Sequence, residues 1–266
     1  SDSRNELPTK NHSPGIAAPP RPRLPPRRFL RRMSREEVLV VTVLSVGGSI
    51  ISPDDVDTDL VAALRDTLWP FIEAGRKFIL VTGGGAPART YQGAYRAISG
   101  EADAEEQDWI GVAATRLNAQ LLRAVFRSVC NDPVVTNPEA PIAFEGSVLI
   151  GAGWKPGFST DYDAVLLAER FGADTVINLS NIEKVYTADP KNDPDAEPLD
   201  EVGWADFRRL VGDDWVPGSN LPFDPVATRR AAELGLRVVA AGGRDAENLR
   251  RILAGEPFFG TTIGPD

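Results

Sequence analysis

The chain has 266 residues, of which 42% are hydrophobic, and a formal net charge of −9. That length allows one large α/β domain or two lobes that share a sheet. The single cysteine, Cys130, excludes an internal disulfide and a multi-cysteine zinc site, and the single histidine, His12, lies ahead of the predicted folded part, where it cannot complete a histidine-based catalytic triad.

A basic, disordered arm is predicted over residues 1–36, ahead of a folded domain at 37–266. Residues 1–35 hold seven prolines and carry eight arginines and one lysine against two acidic residues, a charge of +7, so that the remainder carries −16. An acidic body argues against nucleic acid as a partner of the folded domain. No partner is assigned to the arm.

The low cysteine content favours the cytoplasm as the compartment. No apolar run approaches the ~20 residues that a membrane-spanning helix needs. The sequence therefore predicts a cytoplasmic protein without a membrane partner.

Short apolar runs alternate with amphipathic stretches along the rest of the chain. The runs predict strands at residues 38–46, 77–82, 148–150, 175–179, 237–241 and 260–263. The stretches predict helices at residues 57–74, from 86 to about 98, at 108–129, from about 161, at 224–234 and at 246–254. This alternation predicts a mostly parallel sheet with helices on both faces, and ligands at the carboxyl ends of its strands.

Glycine-rich turns follow three of the predicted strands, at residues 47–49, 83–85 and 151–153. Glycine lets a backbone approach phosphate closely and present its N–H groups. Each turn alone is equally explained as a tight connection, but three at one end of a sheet predict a phosphate-binding surface. None is a Walker P-loop, and the third lacks the last glycine of the dinucleotide fingerprint, which makes a nicotinamide enzyme a weak alternative.

Polar residues at helix starts are the candidate ligands of that surface. Ser159, Thr160 and Asp161 open one helix, where unpaired N–H groups and the helix dipole favour an anion. Asp161 is a candidate for organising a metal or a lysine around transferring phosphates, whereas the nearby Asp163 is interpreted as a cap or dipole partner.

Three other positions have a structural and a functional interpretation each. Arg89 suits bidentate phosphate binding or is an exposed helix charge. Asp108 is the N-cap of the long helix or a contact to a ribose hydroxyl. The Asp224-Pro225 pair is typical of a helix N-cap followed by proline at the first position.

These residues together resemble the amino acid kinase family, and within it the uridylate (UMP) kinases of the archaeal-type branch and its bacterial relatives. The resemblance runs in order through VGGS at 46–49, TGGGAPAR at 82–89, DWIGVAATRLNA at 108–119, PGFSTD at 156–161, NIEKVYTADPK at 181–191, PGSN at 217–220 and DP at 224–225. It covers residues 40–263, nearly all of the chain after the arm.

The resemblance implies a three-layer αβα sandwich with a mostly parallel central sheet, assembled as a homo-hexamer, that binds UMP mainly through its first half, to about residue 150, and ATP through its second. Gly47, Gly48 and Ser49 would face the transferring phosphates. By position the resemblance implies the catalytic residues Ser49 and Asp161, the substrate ligands Gly47, Gly48, Gly83, Gly84, Arg89, Asp108, Ser159 and Thr160, and the ATP ligands Ser180, Asn181, Tyr186, Asp189 and Pro190. Mg²⁺ is expected to arrive with ATP and to be held mainly by its phosphates, with no protein metal ligand.

Two departures from the family pattern concern positive charge. Many members have a lysine where this chain has Ser45, and the familiar Asp-Gly-Val-Tyr is Glu183-Lys184-Val185-Tyr186 here. Lys184 is the catalytic candidate that would replace the lost charge, although it could also simply point to solvent. Lys155 in the central loop is the other candidate.

The expected reaction is phosphoryl transfer from ATP to UMP, which needs positioning and charge neutralisation more than covalent chemistry. The alternatives are a kinase of another small phosphate acceptor and a non-catalytic nucleotide or oxyanion binder, because the same fold builds the molybdenum storage proteins. Isopentenyl phosphate kinases rely on a histidine that the folded part lacks.

Overall fold

A computed structural model describes residues 40–190, 192–212 and 221–265. Within these ranges seven strands form one sheet in the order β3-β2-β1-β4-β8-β9-β7, and two form a small separate ribbon of β5 and β6. The strands are β1 (Val41–Val46), β2 (Lys77–Thr82), β3 (Val148–Gly151), β4 (Thr175–Ser180), β5 (Val185–Tyr186), β6 (Pro198–Leu199), β7 (Glu201–Gly203), β8 (Arg237–Gly242) and β9 (Thr261–Gly264).

Helices cover both faces of the main sheet. They are α1 (Gly48–Ile51), α2 (Thr58–Glu73), α3 (Gly85–Ser99), α4 (Ala104–Val125), α5 (Thr160–Phe171), α6 (Trp204–Val211), α7 (Pro225–Leu234) and α8 (Ala246–Ala254). Apolar residues of α2, α4 and α8 form one core with one face of the sheet, and those of α5, α6 and α7 form a second core with the other face. The predicted αβα fold with a mostly parallel sheet is confirmed.

The strands at the centre of the sheet are buried on both faces, as in other parallel sheets covered by helices. In β1, Val43 faces one core and Leu44 the other, and neither side chain is exposed. The chain runs from β1 outward through β2 and β3, and then returns to β4 on the opposite side of β1. The topological switch point, where open α/β sheets bind ligands, therefore lies at the carboxyl end of β1, at Gly47 and Gly48.

Strand β9 departs from the parallel arrangement, because it pairs antiparallel with β8 and parallel with β7. The short elements β5, β6, β7 and α6 lie in the stretch between β4 and α7, for which the sequence pattern predicts no regular structure. No helix among the described residues is long and apolar enough to cross a membrane.

The helix boundaries correct one prediction and confirm another. Helix α4 begins at Ala104, and its N-cap is Asp103, whose carboxylate accepts from the Glu106 amide at 3.0 Å. Asp108 is therefore not the N-cap and lies in the second turn of α4. Asp224 does cap α7, with Pro225 at the first position and a 2.7 Å hydrogen bond from the Ala227 amide. The basic arm, Lys191 and residues 217–220 lie outside the described residues.

Candidate functional site

Two glycine turns meet backbone to backbone at the switch point. A Cβ at Gly48 would lie 2.0 Å from the Gly85 nitrogen, and a Cβ at Gly83 would lie 2.4 Å from the Gly48 nitrogen. Gly85 also has φ +64°, a conformation that side chains disfavour. These glycines are consequently required by close packing, whatever ligand they bind.

Buried polar side chains of α4 hold the turns in place. Asn118 donates from Nδ2 to the carbonyl oxygens of Gly83 at 2.8 Å and Gly84 at 3.2 Å. Thr115 accepts from the Gly153 amide at 2.8 Å. Helix α4 therefore fixes the second glycine turn and the loop after β3 relative to each other.

The loop from Gly153 to Ser159 precedes α5, whose N-cap is Ser159. The aromatic rings of Trp154, Phe158 and Tyr162 stack in series, with centroids 5.5 Å and 4.9 Å apart. The Lys155 Nζ lies 3.7 Å from the Trp154 centroid. The stack stiffens the loop and holds the lysine at its surface.

Asp161, in the first turn of α5, joins three elements of the site. Its Oδ1 accepts from the Ser45 hydroxyl at 2.8 Å, and its Oδ2 accepts from the Asp224 amide at 3.2 Å. Burial raises the pKa of Asp161 to about 6, and the nearby Asp224 charge adds to this, while the Ser45 hydrogen bond opposes it. Position 45, where many family members have a lysine, thus faces Asp161 directly.

Asp224 has one satisfied carboxylate oxygen and one unsatisfied one. Its Oδ1 caps α7, whereas its buried Oδ2 has no hydrogen-bond partner within the described part of the chain. Burial raises the pKa of Asp224, and the amides of Ala227 and Val226 and the nearby Ser159 hydroxyl oppose the shift.

Asp163 plays a larger part than the sequence indicates. It is buried, and its Oδ2 accepts from the Trp154 amide at 3.1 Å, which ties α5 to the preceding loop. Burial raises its pKa to about 7; the Trp154 amide and the charge of Arg116 oppose the rise, and the charge of Asp161 adds to it. Ser159 is the N-cap of α5, so Asp163 is not the cap; it lies in the first turn of the helix with its side chain pointing inward.

A cavity of about 300 Å³ opens between α4, the loop before α5 and the start of α7. It brings together the predicted acceptor ligands Gly83, Gly84, Asp108, Ser159 and Thr160. The candidate cation Lys155 and the carboxylates of Asp161 and Asp224 line the same space. The Asp108 carboxylate accepts from the Gly157 amide at 3.0 Å, which closes one wall. We refer to this space as the acceptor cavity.

Arg89 and Arg244 meet at Ser49, and none of these three residues is among those that line the acceptor cavity. Arg89 donates to the Ser49 hydroxyl at 3.3 Å and to the carbonyl of Pro53. Arg244 donates to the Ser49 carbonyl at 3.4 Å and pairs with Asp57 at 3.0 Å. Sequence reasoning missed Arg244, because it lies 195 positions from Ser49 and belongs to none of the matched stretches.

A second cavity, of about 530 Å³, contains the predicted ATP ligands Tyr186, Asp189 and Pro190 together with Lys184. Leu221 lines both cavities, so the two are adjacent. Ser180 and Asn181 precede this cavity along the chain, and the Ser180 hydroxyl accepts from the Ile182 amide at 3.0 Å. We refer to this space as the nucleotide cavity.

The structure places Lys184 in the nucleotide cavity and not among the residues of the acceptor cavity. Its ammonium pairs with Asp200 and lies 5.0 Å from the Phe259 centroid. Lys155, by contrast, lines the acceptor cavity and forms no ion pair within the described ranges. The two candidate cations thus line different cavities.

Another cavity, of about 700 Å³, lies at the opposite end of the sheet. It is bordered by the first residues of β1, β4 and β8 and contains none of the predicted site residues. The ligand crevice is therefore assigned to the carboxyl ends of the strands.

Comparison with known proteins agrees with this arrangement. The sequence profile of the amino acid kinase family matches residues 40–241, from β1 to the end of β8. The chain belongs to the amino acid kinase family. A uridylate kinase of Methanospirillum hungatei is 37% identical over 224 residues, covering 83% of this chain and 93% of the relative. One of Haloarcula marismortui is 33% identical, covering 84% and 98%.

Solved structures of the family have the same fold. The uridylate kinase of Archaeoglobus fulgidus superposes with a TM-score of 0.71 at 30% identity, covering 84% of this chain and 99% of that one. The UMP kinase of Bacillus anthracis superposes with a TM-score of 0.68 at 22% identity, covering 85% and 96%. The second similarity supports the fold alone.

Proposed function

We propose that this chain is a UMP kinase, which transfers the γ-phosphoryl group of ATP to UMP and gives ADP and UDP. The observation that carries the proposal is the acceptor cavity, where glycine turns, a helix N-terminus, Asp108 and Lys155 surround a space adjacent to the nucleotide cavity. The names of the archaeal relatives agree with this substrate.

UMP occupies the acceptor cavity in this proposal. Gly83, Gly84 and Arg89 bind its phosphate, Asp108 its ribose, and Ser159 and Thr160 lie near its base and phosphate. The helix start at Ser159 and Thr160 suits an anion without adding positive charge. The Gly83 amide already donates to the Val46 carbonyl at 3.0 Å, so Gly83 contributes a close backbone approach and not a free donor.

ATP occupies the nucleotide cavity, with Ser180, Asn181, Tyr186, Asp189 and Pro190 around it. Gly47, Gly48 and Ser49 face the transferring phosphates at the switch point. Lys184 binds the ATP phosphates from its own cavity, and Arg244, held beside Ser49, supplies a charge that the family motifs do not predict.

The acceptor is a phosphate oxygen that is anionic near neutral pH, so the reaction needs no general base. What it needs is in-line positioning and neutralisation of the developing charge. Mg²⁺ bound with ATP supplies Lewis-acid neutralisation of the phosphates. The oxygen donors of the site fit such a hard cation, because carboxylates lie at the cavity and Asp224 has an unsatisfied buried oxygen.

The test is a coupled assay of the purified chain with Mg²⁺-ATP across UMP, CMP, AMP, GMP and isopentenyl phosphate. UDP formation and ATP turnover that depends on UMP are expected. The proposal is wrong if the protein binds ATP and UMP but forms no UDP, which is the behaviour of a nucleotide or oxyanion storage protein. Turnover with a different acceptor alone would assign another kinase.

Assembly and location complete the proposal. We infer a homo-hexamer in the cytoplasm, in which α3 and α4 contribute to an interface between subunits. The apolar side chains of Tyr91, Ile98, Trp109 and Leu117 are exposed on these two helices to between 40% and 85%. Light scattering on the purified protein measures the mass, and a monomer would contradict the assembly.

A further inference from the structure

Asp161 and Asp224 are neighbours at the acceptor cavity, and the charge of Asp224 acts on the Asp161 carboxylate. The backbone amide of Asp224 donates to Asp161 Oδ2 at 3.2 Å, and both side chains line the cavity. No lysine or arginine among the described residues forms an ion pair with either of them. Two adjacent carboxylates without a cation are costly when buried.

An unsatisfied oxygen in this pair indicates a ligand. Asp224 is only 8% exposed, and its Oδ2 has no hydrogen-bond partner in the described part of the chain. Its other oxygen is committed to the α7 cap. Most buried polar atoms in folded proteins are paired, so an unpaired carboxylate oxygen on a residue that lines a cavity indicates a cation from outside the protein.

We propose that Asp161 and Asp224 together bind one divalent cation, Mg²⁺, directly. Mg²⁺ is usually held in proteins by one or two carboxylates together with waters and substrate phosphates, which matches a two-carboxylate set at the mouth of a phosphate-binding crevice. The site thus departs from the expectation that the chain offers the metal no ligand of its own.

The neighbouring residue explains why a metal ion is needed here. Ser45 faces Asp161 and offers only a neutral hydroxyl, which donates to Oδ1. A neutral hydrogen bond orients the carboxylate but leaves its charge uncompensated. The metal ion then has the role that an ammonium group at position 45 would have.

The test measures metal binding by the full chain without any nucleotide. Mn²⁺ is titrated into the protein, and the free ion is followed by electron paramagnetic resonance, with Mg²⁺ added as a competitor. A single saturable site with a dissociation constant of about 10⁻⁴–10⁻³ M is expected, in the range of weak oxygen-ligand sites.

Three variants make the measurement specific. Asp224→Asn keeps the cap of α7, because asparagine also accepts at an N-cap, and should weaken Mn²⁺ binding about tenfold or more. Asp108→Asn makes the same change in the same cavity, away from the pair, and should leave Mn²⁺ binding unchanged. Ser45→Lys places an ammonium at Asp161 and should displace the ion.

Two results would overturn the proposal. One is the absence of saturable Mn²⁺ binding up to several millimolar in the unaltered chain, which would mean that the pair holds a proton instead. The other is equal binding by the unaltered chain and Asp224→Asn. The binding of the ion does not depend on the proposed UMP kinase function, whereas its role in neutralising phosphate charge does. Because the titration uses no nucleotide, its outcome is separable from a failure to phosphorylate UMP.

Discussion

Replacing Asn118 by alanine tests whether α4 positions the acceptor site. The Asn118 side chain is 2% exposed and is the described donor to the Gly83 and Gly84 carbonyl oxygens. Alanine removes both hydrogen bonds and leaves helix α4 intact, because alanine is a good helix former.

The expected cost follows from the burial of the two carbonyl groups. Gly83 is buried, so its unpaired oxygen costs about 1–3 kcal/mol, whereas Gly84 borders the cavity and water replaces most of its lost bond. The free energy of unfolding should fall by about 2–3 kcal/mol in total. For a domain of this size that is a decrease in Tm of about 4–12 °C.

The functional effect should exceed what stability explains, because the glycine turn shifts relative to the acceptor. The KM for UMP is expected to rise about tenfold or more at 25 °C, with the KM for ATP changed less. The assay is steady-state UDP formation with each substrate varied, together with thermal unfolding.

Asn248→Ala is the matched control. Asn248 is also buried and bridges the Phe259 backbone with hydrogen bonds of 2.6 Å and 2.8 Å, outside the acceptor cavity. It should lose similar stability and keep its KM for UMP. The positioning role is refuted if the two variants lose equal stability and neither changes the KM for UMP.

Three other predictions concern single residues. Lys155→Gln should raise the KM for UMP about five- to tenfold, and Lys184→Gln should raise the KM for ATP, as measured by initial-rate kinetics. The reverse pattern would contradict the assignment of the two cavities. Gly48→Ala should lower the free energy of unfolding by about 3 kcal/mol or more, because its Cβ would lie 2.0 Å from backbone. Gly264→Ala, which meets nothing within 4 Å, should change it by less than about 0.5 kcal/mol in the same denaturant titration. Cys130 is 4% exposed and burial raises the pKa of its thiol, so a thiol reagent should modify it slowly in the folded protein and promptly in denaturant; rapid modification of the folded chain would refute its burial.

Long, strongly patterned elements could be predicted from the sequence, and short ones could not. The apolar runs that became β1, β2, β4 and β8 are buried on both faces, which is the property that makes them recognisable. The strands β5 and β6 have two residues each, which is too few to show any periodicity. The start of α4 could not be predicted because Ala104, Glu105 and Glu106 are exposed and offer no apolar side chain to a core, so the amphipathic pattern begins later than the helix.

Some residues of the candidate site could be predicted from the sequence, and others could not. Gly83, Asp108, Ser159 and Asp161 belong to contiguous motifs and do meet in one cavity. Asp163 and Arg244 have no such signal in the sequence. The burial of Asp163 and the contact of Arg244 with Ser49 arise only from tertiary folding. The pairing of Lys184 with Asp200, 16 positions later, is likewise invisible in the sequence.

The backbone contact between Gly48 and Gly83 limits how the acceptor preference of this fold can be altered. Two turns that touch without side chains present the same peptide surface to every phosphate, so no substitution there can be tolerated and also select among acceptors. Substitutions that change which acceptor binds must therefore lie in the other residues that line the acceptor cavity, chiefly in the loop that contains Lys155 and Phe158. A design that aims to phosphorylate a different small molecule would keep the two glycine turns and change that loop.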